Sequence, residues 1–329
     1  MRVNTDQTAS FSDMELLIPK TELDTLDEFI NWQPIAGLLR SIQGDYCAVS
    51  LFKMLLLQTW HNLSDTNVSD AVKRDLVFMR FCGFSLEGSK PDATTLCRYR
   101  KRLIDAGLLD DLLVIVNESL MARDLKVANG KYISSDATLI QSSRRARKVI
   151  ESNDELTEVI YSDDTDATWL KKGEQCVYGY SASVTTDEEG LVESVTTFSA
   201  HRSEMTRLDE VLDRLDAKDG QVLLYDKGVD SAANRRELKS RGLKDGIMRK
   251  KPKGKSMRHW QRLRNKAIGK RRFVVERTFG TLKRTYGLGR ARYVGLVKTQ
   301  AEVLIKSIAY NLKRGINTMR HRCSQASCA

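Results

Sequence analysis

The sequence predicts an α/β fold, a mixed sheet flanked by helices, that follows an all-helical N-terminal region. Up to about residue 125, apolar residues recur at helical spacing, whereas short apolar strands alternate with helical stretches after Asn129-Gly130. Charge is also distributed unevenly. From Arg241 onward there are 25 Lys and Arg against 3 acidic residues, and the preceding 240 residues hold 29 basic and 40 acidic ones. We therefore expect a helical region over residues 1–128 and an α/β domain over residues 129–329.

The N-terminal region is predicted to consist of helices joined by short turns. Residues 51–60 form an apolar run, residues 69–81 carry apolar side chains at helical spacing, and Pro91-Asp92 is a helix start signal. The helix at 91–103 follows a turn around Gly88, which makes it a candidate DNA-recognition helix. A helix pair that never contacts DNA is the alternative. The basic side chains on this helix are Arg98, Arg100, Lys101 and Arg102.

The second region alternates between strands and helices, which is typical of a mixed sheet covered by helices. Asp136 is expected near the end of the first strand, and Asp226 at the end of a later one. The predicted elements are a strand at 131–140, a hairpin at 176–200 that turns at Glu188, Glu189 and Gly190, a helix at 207–220, a strand from Gln221 to Asp226, a helix at 231–242 capped by Ser231, a strand at 246–250, a basic loop at 251–270, and a helix from Arg271.

Three carboxylates in this frame predict a metal site. Strand ends in α/β folds are where ligand-binding residues gather, so Asp136 and Asp226 meet if their strands are neighbours. Glu276, on the helix that follows, can lie nearby. Three unpaired carboxylates repel one another, and a divalent cation removes that conflict. Hard oxygen ligands suit Mg²⁺ or Mn²⁺, and two ions about 4 Å apart would support in-line displacement at phosphorus. A single strand-end Asp is more often a loop cap.

The helix that begins at Arg271 combines this carboxylate with positive charge. At about 100° per residue, Arg272, Glu276 and Lys283 lie within about 40° of one another on one helix face. A solvated Arg–Glu pair is the simpler interpretation of an isolated i, i+4 arrangement. The strongly basic segment from Arg241 onward favours a folded surface for a polyanion over a disordered tail, because it also contains apolar residues at helical spacing.

Several function classes are disfavoured by composition. No apolar run is long enough for a membrane span, and the N-terminus lacks the pattern of a secretory signal. Six cysteines without a CxxC pair and only four histidines argue against a disulfide framework and a zinc centre. The sequence has no Walker-type Gly-rich loop, so nucleotide hydrolysis is not expected. We therefore expect a cytoplasmic, nucleoid-associated protein with no membrane partner.

Three sequence blocks resemble the insertion-sequence-5 family of bacterial DDE transposases, whose catalytic core has the ribonuclease-H-like fold. ISSDATLIQSS is similar to the block with the first aspartate, VLLYDKGVDSAANRREL to the second, and RRFVVERTFGTLKRTYGLGRARYVGL to the glutamate block. The resemblance covers nearly the whole chain, including a helical region at 63–103. Related transposases carry Tyr, Arg, Glu and Lys at fixed spacing. Arg272, Glu276 and Lys283 match that pattern, but Gly269 stands at the tyrosine position and Val229 replaces a tyrosine of the second block.

The resemblance implies cleavage of DNA strands at the ends of a mobile element and their transfer into target DNA. Asp136, Asp226 and Glu276 would hold two metal ions, and Arg272 and Lys283 would bind phosphates near the scissile bond. A homodimer is expected, because two element ends must be held together. Arg277, Arg284, Arg290 and Arg292 would add backbone contacts to double-stranded DNA.

Two other functions stay open on the sequence. One is a metal-dependent nuclease or resolvase that cuts without joining, and the other is a catalytically inactive DNA-binding protein. Two further side chains are weaker candidates. His201 could approach the metals or the attacking water, although a surface histidine is the simpler interpretation, and Trp169 could stack on an unpaired base or anchor the hairpin.

Overall fold

The computed structural model describes residues 19–127, 130–146, 148–151, 157–160 and 162–326. Its contacts divide the chain into two compact units, Met1–Leu108 and Leu109–Ala329. This division lies one helix before the expected boundary at residue 128. The reason is that the helix at Leu109–Met121 packs against the last helix of the chain and against the sheet of the second unit.

The regular elements in the described part of the first unit are helices, as the sequence predicts, although the run at 69–81 is divided between two helices at Asp75. Its apolar centre is the helix at Ala48–Trp60, in which Leu51, Phe52 and Leu55 are fully buried. The described helices of this unit are α1 (Glu22–Phe29), α2 (Trp32–Leu39), α3 (Ala48–Trp60), α4 (Asp65–Arg74), α5 (Leu76–Cys82) and α6 (Ala93–Asp105), with a 3₁₀ turn at Arg40–Ile42.

Helix α6 begins where the sequence predicts, because the Asp92 carboxylate accepts a hydrogen bond from the Thr95 backbone amide at 2.6 Å. One of its basic side chains differs from the prediction. Arg100 does not project from the helix but is buried, and its Nη1 lies 3.1 Å from an Asp65 carboxylate oxygen. It also donates to the Gln58 side chain. Arg100 therefore stabilises the helical unit from within and presents no charge to DNA.

The second unit is built around a mixed six-stranded sheet. The described strands and helices are β1 (Tyr132–Gln141), β2 (Lys148–Glu151), β3 (Thr157–Ile160), β4 (Thr168–Lys172), β5 (Gln175–Thr186), β6 (Val192–Ser199), β7 (Val222–Tyr225), β8 (Lys244–Ile247), α7 (Leu109–Met121), α8 (Leu208–Asp213), α9 (Ala232–Ser240), α10 (His259–Arg284) and α11 (Leu296–Ala326). The sheet order is β4-β5-β1-β7-β8, and β6 also pairs with β5. Short 3₁₀ helices lie at Glu204–Thr206 and Lys227–Val229.

Pairing within this sheet explains its mixed character. β1 is antiparallel to β5 on one side and parallel to β7 on the other, and β7 is parallel to β8. Helices cover both faces: β1, β7 and β8 share an apolar core with α8 and α9, and α10 packs against β1, β5 and β7. This is the mixed, helix-flanked sheet that a ribonuclease-H-like core requires, and it confirms the predicted fold class.

The predicted hairpin is β5–β6, and its turn lies where the sequence indicates. The Asp187 backbone amide donates to the Leu191 carbonyl at 2.9 Å, and Gly190 has φ +91°. A side chain at Gly190 would place its Cβ 2.9 Å from Val274 of α10. Glycine is needed here for both the left-handed conformation and the close approach of the helix.

Two predicted elements have different lengths in the structure. The helix expected at 207–220 is limited to Leu208–Asp213. In contrast, α10 already begins at His259, inside the segment predicted as a basic loop. This early part has few apolar residues and is held instead by hydrogen bonds. Arg264 donates to the Asp245 carbonyl at 2.9 Å. The Asn265 side chain accepts a hydrogen bond from the Arg249 backbone amide and donates one to the Arg249 carbonyl. None of the described helices is both long and apolar enough to cross a membrane.

Candidate active site

Two of the three predicted carboxylates meet because their strands are parallel neighbours. Ser134 of β1 pairs with Leu224 of β7, so continuing this register by two residues brings Asp136 level with Asp226, just beyond the end of β7. Asp136 is not near the end of its strand, as the sequence suggested, but in its middle. β1 continues to Gln141 because β5 pairs with it along that whole length, whereas β7 ends one residue before Asp226.

Arg272 of α10 lies between these two aspartates. Its Nη2 is 3.1 Å from Asp136 Oδ1, and its Nη1 is 3.6 Å from Asp226 Oδ1. Only 7% of the arginine side chain is exposed, compared with 24% for Asp136 and 40% for Asp226. Nη1 also approaches the Met248 sulfur at 3.9 Å, and Nε is buried without a hydrogen-bond partner. Arg272 thus acts as an internal counter-ion to both carboxylates.

Glu276 lies one turn further along α10 and is exposed. Its charge is close enough to act on Asp136. Burial raises the pKa of the Asp136 carboxyl, the Arg272 guanidinium lowers it, and the charges of Asp226 and Glu276 raise it further, so that the net shift is upward. The Ala137 backbone amide also opposes this rise. The charges of Asp226 and Glu276 therefore both act on the Asp136 carboxyl.

The donor set fits a hard divalent cation, although the side chains are not closed around one. Among the residues described, no three or more His, Cys, Asp or Glu side chains are arranged to hold a metal ion. Arg272 supplies positive charge where two of the carboxylates converge. A carboxyl whose pKa is raised by burial and by like charges is the kind of group that a cation stabilises in its ionised form. Asp136, Asp226 and Glu276 are the residues that would hold the metal.

The other matched and basic residues of α10 lie on the protein surface. Lys283, Arg277 and Arg284 are exposed. Arg277 donates to the Glu189 carbonyl at 3.3 Å, and Arg284 donates within its own helix to the Gly280 carbonyl at 3.2 Å. These side chains are positioned by the helix and its neighbouring turn, and their charges face solvent.

The two arginines beyond α10 differ from each other. Arg290 is exposed, pairs through its backbone with Gln141 at the end of β1, and donates to the Ser143 carbonyl at 3.3 Å. Arg292 is half-buried, and its backbone amide donates to the Glu302 carboxylate at 2.8 Å. The loop between α10 and α11 is therefore anchored to the end of the strand that carries Asp136.

His201 and Trp169 lie at the β4 side of the sheet, separated from β1 by β5. His201 is an exposed surface histidine, and its Nδ1 lies 3.0 Å from the Thr168 hydroxyl. Trp169 is 57% exposed and packs against Tyr178, with ring centroids 5.5 Å apart.

Sequence reasoning missed a second group of basic residues on α11. Lys313 and Arg314 line a groove together with Arg277 of α10. One signal was available: these two charges follow directly on an apolar helical run at 301–312. That run predicts a buried helix, and a basic pair at its edge indicates a charged border.

Comparison with known proteins agrees with this geometry. The "Transposase DDE domain" family matches residues 133–312, and the "Transposase domain (DUF772)" family matches residues 12–102. A curated relative, "Transposase for insertion sequence element IS1106" from Neisseria meningitidis serogroup B, is 36% identical over 226 residues, which cover 68% of this chain and 78% of that protein.

Two solved transposase structures are also similar, at low identity. The piggyBac transposase synaptic complex with hairpin DNA is 9% identical, covers 90% of this chain and 73% of its own, and has a TM-score of 0.46. The pre-cleavage Mos1 transpososome is 9% identical; the match covers 82% of this chain and 97% of that chain, with a TM-score of 0.22. Both scores are below 0.5, so the assignment rests on the sequence families and the curated relative. The matched DDE domain contains all three carboxylates, and the chain belongs to the DDE transposase family of insertion sequences.

Proposed function

We propose that this transposase cleaves DNA strands at the ends of a mobile element and transfers them into target DNA, using Mg²⁺ or Mn²⁺ held by Asp136, Asp226 and Glu276. The observation that carries the proposal is the convergence of Asp136 and Asp226 on one buried guanidinium, with the charge of Glu276 acting on the same site. Two buried or half-buried acids with a shared cation are a poor stabilising device, because desolvation offsets most of the attraction. A role in catalysis explains this arrangement better than a role in stabilising the fold.

The chain's own residues have separate roles in this chemistry. When bound, a pair of divalent ions would activate a water or a 3′-hydroxyl and stabilise the leaving oxygen. Arg272 partly neutralises Asp136 and Asp226, and its planar guanidinium is of the kind suited to bidentate contact with a scissile phosphate. Lys283 would act as a point charge on the same helix.

The surrounding positive charge would hold the DNA backbone without reading its sequence. Arg277, Arg284 and Arg290 are exposed, and Arg292 is half-buried in the loop after α10. Contacts of this kind fix the position of the duplex and make binding dependent on salt. The helical first unit, with Arg98 and Lys101 exposed on α6, is the candidate for recognition of the element ends. Because two ends must be cut and joined together, the active form is proposed to be a homodimer.

The carboxylate assignment is tested by Asp226→Asn. The amide cannot serve as an anionic ligand, so Mg²⁺-dependent nicking of a duplex with the element's end sequence should fall by more than about 100-fold. DNA affinity measured in EDTA should stay within about twofold. Asp209→Asn is the matched control, since Asp209 is an exposed carboxylate of the same unit on α8. Undiminished nicking by Asp226→Asn would remove this residue from the active site.

The two alternative functions give different products in the same reaction. A nuclease or resolvase produces nicked DNA without joined products, and an inactive DNA-binding protein produces neither. Incubation with end-sequence duplexes, a target plasmid and Mg²⁺ therefore separates the three functions, because only a transposase forms covalent junctions between element end and target.

A further inference from the structure

A basic groove lies between α10 and α11 in the second unit. It has a volume of about 500 Å³. Its lining includes Arg277 and Thr281 of α10 and Tyr310, Lys313 and Arg314 of α11. Among the described residues that line it there is no aspartate or glutamate, so the charged side chains on its walls are basic.

Two arginines from different helices converge at one wall of this groove. Arg277 Nη2 donates to the Glu189 carbonyl at 3.3 Å, and Arg314 Nη2 donates to the same oxygen. Arg314 Nη1 also donates to the Tyr310 hydroxyl at 3.3 Å. These bonds engage one N–H group of Arg277 and two of Arg314, whereas a guanidinium carries five. Two like charges held together by a neutral carbonyl repel each other, and an anion between them would relieve that repulsion.

The groove is rigidly supported. Thr278, the residue after Arg277, donates to the Gly190 carbonyl at 2.9 Å and lies 3.3 Å from the Tyr310 hydroxyl. α10 is thereby fixed both to the β5–β6 turn and to α11. A site on packed helices keeps its charged groups in position better than one on a free loop, so little ordering is needed when an anion binds.

The groove also starts beside the active site. Arg277 directly follows Glu276, with Cα atoms about 3.8 Å apart. The side chains diverge by about 100° around the helix, so the carboxylate and the groove occupy neighbouring faces of α10. A DNA strand that leaves the carboxylates across this helix would meet Arg277 and then α11.

We infer that this groove binds the phosphodiester backbone of a DNA strand next to the scissile phosphate, with Arg314 and Lys313 of α11 supplying contacts together with Arg277. The inference rests on the proposed function, because it places the groove along the path of the DNA to be cut. The shared chemistry is a row of phosphates. The strand could belong to the element end or to the DNA that flanks it, and duplexes of different extent distinguish the two.

The test uses the salt dependence of DNA binding by the full-length protein in EDTA. Fluorescence anisotropy with labelled duplexes gives the slope of log K against log salt, whose magnitude falls by about one for each phosphate that the protein no longer neutralises. Arg314→Gln should reduce the magnitude of the slope by about one, and the double variant Arg277→Gln/Lys313→Gln by about two, and both should weaken binding. Arg314→Lys, which keeps the charge, should retain most of the wild-type slope. Lys239→Gln is the matched control, an exposed lysine at the far end of α9.

Three duplexes locate the strand: the element end alone, the end with flanking DNA, and flanking DNA alone. A reduced slope with the end alone assigns the groove to the element, and a reduction confined to duplexes with flanking DNA assigns it to the flank. Unchanged slopes for both groove variants in all three duplexes would overturn the inference. Thermal unfolding verifies the fold of each variant, and if Arg314→Gln unfolds, the double variant at Arg277 and Lys313 decides the result.

Failure of the groove and failure of the proposed function can be told apart. Mg²⁺-dependent nicking by the wild-type protein tests the function and does not involve the variants. If the wild type nicks its end duplex while the groove variants keep the wild-type slope, only the groove inference fails. If the wild type does not nick while the slopes fall as expected, the groove stands as a DNA-binding surface and the catalytic proposal is wrong.

Discussion

Replacing Arg272 with methionine tests whether this arginine is an internal counter-ion of the active site. Methionine has an unbranched side chain that replaces the aliphatic part of the arginine and lacks the guanidinium that contacts Asp136 and Asp226. It leaves Asp136 largely buried and facing the charges of Asp226 and Glu276. We expect the metal-free protein to lose stability, and the same protein to respond more strongly to divalent cations.

The size of the loss follows from the exposure of the three groups. Removing one partner of a fully buried ion pair costs about 3–5 kcal/mol, and an exposed pair contributes about 0–1 kcal/mol. Arg272 is 7% exposed, but Asp226 is 40% exposed and is screened by solvent. An intermediate loss of about 1–3 kcal/mol is therefore expected. For a unit of this size the melting temperature in EDTA should fall by roughly 2–12 °C.

The response to metal gives the sharper readout. In the wild type a cation at the aspartates has to displace the guanidinium, whereas in Arg272→Met it does not. A tenfold tighter metal affinity would add about 1.4 kcal/mol of stabilisation at saturating metal. Thermal unfolding with and without MnCl₂ should therefore show a larger metal-induced shift for the variant than for the wild type.

Arg271→Met is the matched control for this experiment. Arg271 is the preceding residue of α10, is exposed, and lies over the Tyr132 ring with 4.3 Å from its Cζ to the ring centroid. Its replacement should cost no more than about 1 kcal/mol and leave the metal-induced shift unchanged. Equal metal shifts for Arg272→Met and the wild type would refute the counter-ion role.

Two further predictions concern stability in the second unit. Burial raises the pKa of Asp187 to about 6, assisted by the charge of Glu193 and opposed by Lys126. The folded state then binds this proton more tightly than the unfolded chain, so wild-type stability should fall as pH rises from about 4 to 6, by up to about 3 kcal/mol. Asp187→Asn should remove that fall in urea unfolding at pH 4.5 and 7, and a stability difference from wild type that does not change with pH would contradict this assignment. Gly179→Ala would place Cβ 2.1 Å from the Ile140 carbonyl oxygen and should lower the free energy of unfolding by about 2–4 kcal/mol. Gly289→Ala is the control, because a Cβ at that position meets nothing within 4 Å, and its free energy of unfolding should stay within about 1 kcal/mol of wild type. Equal unfolding free energies for the two variants would show that β1 and β5 can separate at Gly179.

The local parts of the fold were predictable from the sequence because short-range signals specify them. The Asp92 cap, the Ser231 cap and the turn at Gly190 each depend on side chains within a few residues of one another. The Ser231 hydroxyl, for example, accepts a hydrogen bond from the Asn234 backbone amide at 3.0 Å, as its position before a helical run predicts. The start of α10 was not predicted, because its first turns are held by hydrogen bonds to β8 and to Arg249, which follows β8, and not by an apolar stripe along the helix.

Residue type and chain order alone indicated the three carboxylates and the basic C-terminal quarter, because the chemistry requires those residue types in a recognisable arrangement. Which side chains meet was decided by tertiary structure. Asp136 is level with Asp226 only through the parallel register of β1 and β7, which joins segments 90 residues apart. Arg272 faces inward because α10 packs over that strand pair, and Arg100 faces inward because Asp65 lies beneath α6. A charged side chain's direction depends on the partner that the fold brings to it, and the spacing of residues along one helix carries no information about that partner.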